Sequence, residues 1–442
     1  MDVVNAFVNC ELDEVVYIRP PPGLTRPGVV FLLRKALYGL RRSPILWQRK
    51  LEGALYSQGL VTLTQEPCIA LGRGVVVIYY VDDIVYLYRK QDKPLVDQYI
   101  NELKDQFEVT DHGEMKWFLG IHVVRNRQLR KIWLSHKAYI EKLASQFQID
   151  TTARFPTSPM TGPELVPFSG PQASPKRVQE YQRITGSLLF TAVTTRPDIA
   201  FASSKLAQFN SNPGPEHQEA AIRVLRYLYG TRELAITFGG PNSSHKPQYF
   251  ICASDASFAD NSTDRKSSQG YVMKLFGGPI TWKANKQDTV TTSSTEAELL
   301  ALSQTAKEAI FLSRLFHSMQ LELDEKLVIQ CDNRQTIRLI TEESAKLQTK
   351  LRHVDIHNHW LRQEHAAGRV QVIWTRTIDM IADGMTKALG KEKHSGFLDQ
   401  LGFEHIGQTL AVEQRMEAIR DEIHRKKLLD LGEFELGVTR KQ

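Results

Sequence analysis

The run Val75-Val76-Val77-Ile78-Tyr79-Tyr80-Val81-Asp82-Asp83-Ile84-Val85-Tyr86-Leu87-Tyr88 sets two β-rich segments on either side of a pair of aspartates. Valine, isoleucine and tyrosine suit a pleated, half-buried surface, so Val75 to Tyr80 and Ile84 to Tyr88 read as the arms of a hairpin with acids at its tip. Adjacent carboxylates repel, and an acid drawn into apolar surroundings is costly without a partner. A divalent cation resolves that conflict, although a surface turn with two solvated aspartates satisfies the same tetrapeptide. Behind the hairpin, Leu95, Tyr99, Ile100, Leu103 and Phe107 recur at helical spacing and predict an amphipathic helix.

Working upstream, Asp2-Val3-Val4-Asn5-Ala6-Phe7-Val8-Asn9 places another acid five residues before an aromatic, and Ala36-Leu37-Tyr38-Gly39-Leu40 comes next. From Arg34 to Lys50 the basic residues Arg34, Lys35, Arg41, Arg42, Arg49 and Lys50 surround Tyr38 and Trp47. Such a strip suits a phosphate backbone, and it equally suits a solvated helix face.

Downstream, residues 151 to 176 carry Pro156, Pro159, Pro163, Pro167, Pro171 and Pro175 and read as a linker. Helices are expected around Tyr181 to Val193, Asp198 to Phe209 and His217 to Tyr229, and Gly239 to Ser244 marks a second boundary. The order then changes. Strands are expected at Tyr249 to Ser254, Gly270 to Phe276 and Pro279 to Ala284. A long helix (Thr295 to Met319), a strand (Leu327 to Cys331), a helix (Asn333 to Ile340), a strand (Val370 to Trp374) and a helix (Ile378 to Ala388) come after them. That alternation indicates a mixed α/β sheet with helices on its faces. Asp255 ends the first of these strands, Glu298 starts the long helix, Asp332 closes the strand at Cys331, and Asp383 lies in Ile381-Ala382-Asp383-Gly384. Four acids at strand ends and helix starts make a two-metal hydrolytic site plausible. Glu296 stands beside Glu298, and either could be a capping acid with Ser293 or Thr295 as N-cap, because the two flank the stripe Leu299, Leu302, Ala306, Ile310 from opposite sides.

Bulk properties constrain the rest. At 442 residues the chain should hold two or three domains. A net charge of +6 decides little by itself. No apolar run is long enough to span a bilayer, and the start lacks the pattern of a signal peptide, so an intracellular protein is expected, in cytoplasm or nucleus. Cys10, Cys68, Cys252 and Cys331 show no C-x-x-C spacing and are expected as buried free thiols. Trp282, Trp360 and Trp374 are expected in cores. The tail beyond Gly390 is charged, with one short amphipathic helix on Val412, Met416, Ile419 and Ile423.

The ordered set of Asp2 to Asn9, Ala36 to Leu40 and Tyr80-Val81-Asp82-Asp83 resembles the reverse transcriptase of Ty1/copia retrotransposons, and Thr194-Thr195-Arg196-Pro197-Asp198-Ile199 resembles that family's segment between polymerase and RNase H. The resemblance implies Asp2 and Asp82 as metal ligands and Asp83 as the assisting acid. It implies Phe7 as a steric gate against a ribose 2′-hydroxyl, Tyr38 beside the incoming nucleotide and Arg41 near the template. Asp255, Glu298, Asp332 and Asp383 resemble the four-acid set of RNase H, which favours Glu298 over Glu296 as the ligand. The segment Arg352-His353-Val354-Asp355-Ile356-His357 resembles a family helix, and His353 is open to three readings: assisting proton transfer at the hydrolytic site, a structural role, or contact with substrate phosphate.

The same resemblance implies an α/β (α+β) fold: a partial palm (1–88) lacking its fingers, a thumb/connection region (89–245), an RNase H-like mixed-sheet domain (246–390) and a charged tail (391–442). In the family, fingers and further palm residues precede the first aspartate. A strand of the usual length is not expected from Met1 and Asp2, so the polymerase half is expected to be inactive and the nuclease intact. The implied cofactor is Mg²⁺, two ions per active site, with Mn²⁺ a substitute. The implied partners are an RNA/DNA hybrid and a nucleic-acid template, with deoxynucleotide triphosphates for a complete polymerase, and no membrane. A non-catalytic nucleic-acid-binding remnant is the alternative.

Overall fold

The apolar arms around Asp82 do form an antiparallel hairpin, Val75–Tyr80 against Asp83–Leu87, with Tyr80 opposite Asp83. It is the centre of a six-stranded sheet ordered Val61–Thr62, Ile69–Gly72, Val75–Tyr80, Asp83–Leu87, Asp2–Val3, Val109–Thr110. The computed structural model describes residues 1–24, 26–240, 250–323, 326–345, 347, 349, 351–419 and 422. Its chain divides into two units, Met1–Phe118 with Ile310–Asp324 and Leu119–Ala309 with Glu325–Gln442.

In the first unit, alternate residues Val75, Val77 and Tyr79 turn inward, as a strand with one covered face requires. The helices Ser43–Ser57 and Lys93–Gln106 supply the cover, burying Trp47, Leu51 and Leu55 from one and Val96, Tyr99 and Leu103 from the other. Pro44 at the start of the first helix costs no hydrogen bond, since that N–H has no intrahelical partner. A separate two-stranded ribbon, Glu11–Ile18 with Phe31–Lys35, flanks the proline-rich loop.

The second unit contains two sheets. One has Gly278–Lys286, Ser268–Leu275, Phe250–Ser257, Val328–Cys331 and Gln371–Trp374 in that order. The first three strands pair antiparallel, and the last two run parallel to Phe250–Ser257. The other sheet carries, in this unit, Phe403–His405, Leu234–Gly239, Lys131–Ser135 and Ile121–Asn126. Helices Pro175–Thr194, Ala200–Ala207 and Pro215–Gly230 bury Tyr181, Leu188, Leu206 and Leu228 in one cluster with Ala253, Val272, Met385 and Phe397. The expected segments 89–245 and 246–390 therefore contribute to one core, joined by Leu401 and Phe403 from beyond residue 390.

Two local readings change. The helix expected from Ile378 to Ala388 is a 3₁₀ turn, Thr377–Asp379, and one short helix, Asp383–Thr386. Gly384 lies so close to the Phe397 ring that a β-carbon would overlap it, so this short helix packs tightly against the Lys391–Leu401 helix. Trp374, expected in the core, is 44% exposed, because it ends an edge strand. The cysteines are free, with Cys68 half-buried and the other three buried. Pro241 to Ser244 of the expected second boundary, and Ile423 of the tail stripe, lie outside the described residues. Among the described residues no helix is long and apolar enough to cross a membrane.

Candidate functional site

In the first unit the acids converge by strand pairing. Asp2 stands opposite Asp83 across the sheet, and the Val3 N–H donates to the Asp82 carbonyl at 2.9 Å. Burial, then Asp82 and Asp2, push the Asp83 carboxyl above its ordinary range. Val81 opens the turn at φ 56°, a left-handed conformation that a β-branched residue disfavours. The Trp47 indole N–H donates to the Val81 carbonyl at 2.5 Å and holds it there. Phe7 lies in the 3₁₀ turn Ala6–Asn9, its ring 4.5 Å from that of Tyr38. The Tyr38 phenol is raised by burial, then by the charges of Asp82 and Asp2. Arg41 is exposed. Two residues of the basic strip are engaged locally: Arg42 with Asp13, and Lys50 with the Asn9 carbonyl at 2.6 Å.

In the second unit Asp255, Asp332 and Asp383 bring one carboxylate oxygen each within 4.8 Å of the others. Parallel register places Ala253 beside Gln330, so Asp255 and Asp332 lie two residues further along neighbouring strands; Asp332 follows its strand as expected, but Asp255 does not end its own, which stays paired as far as Ser257. Asp383 is brought in by its short helix, which can approach because Gly270, opposite Asp255, leaves room for Met385. Asp255 is 1% exposed. Burial pushes its carboxyl up to about 6, against the pull of Lys387 and with the push of Asp383 and Asp332.

Glu298 is 5% exposed and held well above the usual carboxylate range by burial, then by Asp255 and Asp332. Its Oε2 is buried with no hydrogen-bond partner. Glu296 has another task. Its carboxylate accepts from the Thr292 N–H at 2.6 Å and hydroxyl at 2.7 Å, while Ser293 Oγ accepts from its own N–H at 3.2 Å. The helix start is thus capped by Ser293 and Glu296, while Glu298 is left out of that cap and feels the charges of Asp255 and Asp332. Asp255, Asp332 and Asp383 are a donor set that fits a hard divalent cation; Glu298, whose buried Oε2 has no partner, is not one of that group.

Several neighbours of the acids carry no signal in the sequence alone. Thr386 donates its hydroxyl to Asp255 Oδ2, and Thr377 donates to Asp332 Oδ2 at 2.8 Å. The Trp374 indole donates to the Asp332 carbonyl at 3.2 Å, with the Arg334 guanidinium 4.2 Å from its ring. Lys387 lies 2.6 Å from Asp383 Oδ1; here the i, i+4 spacing is a signal that a sequence reading could use. His353 is held by the Thr289 hydroxyl at 3.2 Å.

The family described as reverse transcriptase (RNA-dependent DNA polymerase) matches residues 1–161. The transposon Ty5-1 protein of Saccharomyces cerevisiae is 33% identical over 316 residues, covering 70% of this chain and all of that protein. The chain belongs to the copia-type retrotransposon reverse transcriptase family. Within it, the retrovirus-related Pol polyprotein from transposon TNT 1-94 of Nicotiana tabacum is 32% identical across 89% of this chain, which spans 30% of that polyprotein's length. A foamy viral protease-reverse transcriptase solved with an RNA/DNA hybrid aligns over 85% of this chain and 43% of its own, at 12% identity and a TM-score of 0.45. In this copia-type reverse transcriptase the first unit carries the six-stranded sheet with the Asp82 hairpin, and the second carries the five-stranded mixed sheet with Asp255.

Proposed function

We propose that this chain hydrolyses the RNA strand of an RNA/DNA hybrid at the carboxylates of its second unit. The observation that carries the reading is the three-aspartate cluster within 4.8 Å; Glu298, outside that group, is assigned as fourth ligand on the family resemblance and on its buried, unpartnered Oε2. Asp255, Glu298, Asp332 and Asp383 would hold two Mg²⁺ ions, which when bound activate water and stabilise the departing oxygen. The protein's own part is positioning. Thr386 and Thr377 fix the orientation of Asp255 and Asp332, and the buried face of the long helix fixes Glu298. Selectivity for the hybrid would rest on 2′-hydroxyls and minor-groove shape.

In the first unit we assign Asp2 and Asp82 as metal ligands, Asp83 as assisting acid, Phe7 as the gate, Tyr38 as nucleotide neighbour and Arg41 as template contact. The Phe7–Tyr38 ring pair and the influence of Asp82 and Asp2 on the Tyr38 phenol support this. Among the described residues these three aspartates do not form a cluster as tight as that of the second unit, so the nuclease is the activity we rank first.

The test is cleavage of a labelled RNA/DNA hybrid by the full chain with Mg²⁺. Asp255→Asn and Asp332→Asn should each reduce the rate by roughly a thousandfold or more, since a stripped ligand set leaves the remaining acids under-neutralised. Hybrid binding should persist, because it depends on phosphate contacts and shape. Asp82→Asn should cleave normally. Full activity in Asp255→Asn would overturn the assignment. Binding without cleavage in the unaltered chain would give the non-catalytic remnant reading instead.

A further inference from the structure

Among the described residues the ammonium drawn into the three-aspartate cluster is that of Lys387. Its Nζ lies 2.6 Å from Asp383 Oδ1 and 3.4 Å from Asp255 Oδ2, so it bridges two of the three acids. The residue caps the C-terminal end of the Asp383–Thr386 helix, four positions after Asp383. Its backbone is fixed by a hydrogen bond from its own N–H to the Asp383 carbonyl at 3.0 Å. The side chain is different: it is 38% exposed, against 1% for that of Asp255. Asp255 therefore sits at the bottom of the cluster, Asp383 at 23% exposure nearer its rim, and the cation enters from the solvent side on a flexible four-carbon stem.

We propose that Lys387 is the resident counter-cation of this cluster, a positioning residue that holds the charge position a divalent ion takes over on binding, and that it thereby sets metal affinity. The inference rests on the metal reading of the four acids. Clustered carboxylates at this burial are costly without a positive charge among them. One ammonium offsets part of that charge and keeps Asp255 and Asp383 facing each other. It does so through oxygens that a divalent ion would also require. Binding is then an exchange in which the ammonium swings outward while its backbone and the Asp383 helix stay in place. Thr386, which bonds Asp255 from the same helix, keeps the carboxylate aimed during the exchange.

The experiment uses the full chain without nucleic acid, titrated with Mn²⁺ and with Mg²⁺, reading both heat of binding and thermal midpoint. Lys387→Met should lower the midpoint in chelator and bind either ion roughly tenfold more tightly, the equivalent of losing one competing charge contact. Its midpoint should approach that of the unaltered protein at saturating metal. Lys387→Arg keeps the charge and should match the unaltered protein in both respects. Equal metal affinity in Lys387→Met, with the midpoint lowered by the same amount with and without metal, would make Lys387 a structural lysine and overturn this inference alone. No metal-dependent shift in any of the three proteins would overturn it together with the metal reading of the site.

Discussion

The two carboxylate sets differ in how they are brought together. In the first unit, Asp82 and Asp83 are neighbours in the chain, Asp2 reaches them by direct strand pairing, and the turn that carries them is a single strained hairpin held by Trp47. In the second, Asp255, Asp332 and Asp383 come from a strand, the end of a second strand and a short helix, and Gly270 lets that short helix approach the sheet through Met385. A set built by register depends on one sheet. A set built by packing depends on everything that holds the elements in place, including contacts well away from the acids.

The most consequential of those contacts is the buried pair Arg196–Asp198. Arg196 donates to both Asp198 oxygens at 2.9 and 2.7 Å, and to the Thr231 carbonyl at 3.1 Å. Tyr227 donates to Asp198 at 2.6 Å and lies 2.8 Å from His394 Nε2 on the Lys391–Leu401 helix. Burial alone would raise the Asp198 carboxyl, but Arg196 outweighs it and holds the group below its ordinary range. Removing one partner strands the other charge in the core. Arg196→Met should therefore cost about 3–5 kcal/mol, and hydrogen exchange should show the loss across the second unit while the first keeps its protection. Equal loss of protection in both units would break the contrast between them.

That pair also marks the limit of what is legible in the sequence. The hairpin, the long helix and the strands of the mixed sheet are readable because each is announced locally by alternation or helical period, whereas only the fold brings Asp255, Asp332 and Asp383 together. Thr194 to Ile199 is recognisable as a family segment, but nothing local says that Arg196 would be buried against Asp198, Tyr227 and Phe403. Phe403–His405 likewise lies in a stretch that reads only as charged tail, yet it pairs with Leu234–Gly239. Those facts belong to long-range packing. Glu296 and Glu298 are indistinguishable by periodicity, and the hydrogen bonds of the helix start separate them.

A smaller effect sharpens the same contrast through pH. Burial, then the nearby Arg196 charge, lower the His136 imidazole to about 4, and its Nδ1 lies 3.1 Å from the Thr195 hydroxyl. An unfolded histidine titrates near ~6.5. Below that value the unfolded chain takes up a proton that folded His136 refuses, so its share of stability is present above pH ~6.5 and is lost as pH falls toward 4. The share is at most about 3 kcal/mol over that window. His136→Gln should flatten the acid-side slope of second-unit stability, whatever it does to the level at neutral pH. An unchanged slope would place the acid loss on other groups. In the first unit Asp83 works in the opposite sense: its raised carboxyl favours the folded state as pH falls, a cost that returns as pH rises through its folded value.

The smallest expected change distinguishes the two glutamates at the start of the long helix. Glu296 bonds the Thr292 N–H and hydroxyl, and its carboxyl is held below the ordinary range: burial pushes it up, and hydrogen bonds from Thr349, Thr292 and Ser293 outweigh that push. Glu296→Gln weakens this cap and should lower stability by about 1 kcal/mol or less, as other helix N-terminal substitutions do. Hybrid cleavage should stay at the unaltered rate, because the side chain faces the helix start and not the aspartates. Glu298→Gln should do the converse. It replaces a buried carboxylate whose Oε2 has no partner, so metal-free stability should hold or rise while cleavage is lost. Chemical denaturation and single-turnover cleavage of the two variants side by side give the answer. If Glu296→Gln is the inactive one, the acid facing Asp255 in the fold is not the one that works there, and the packed site would need a different fourth ligand.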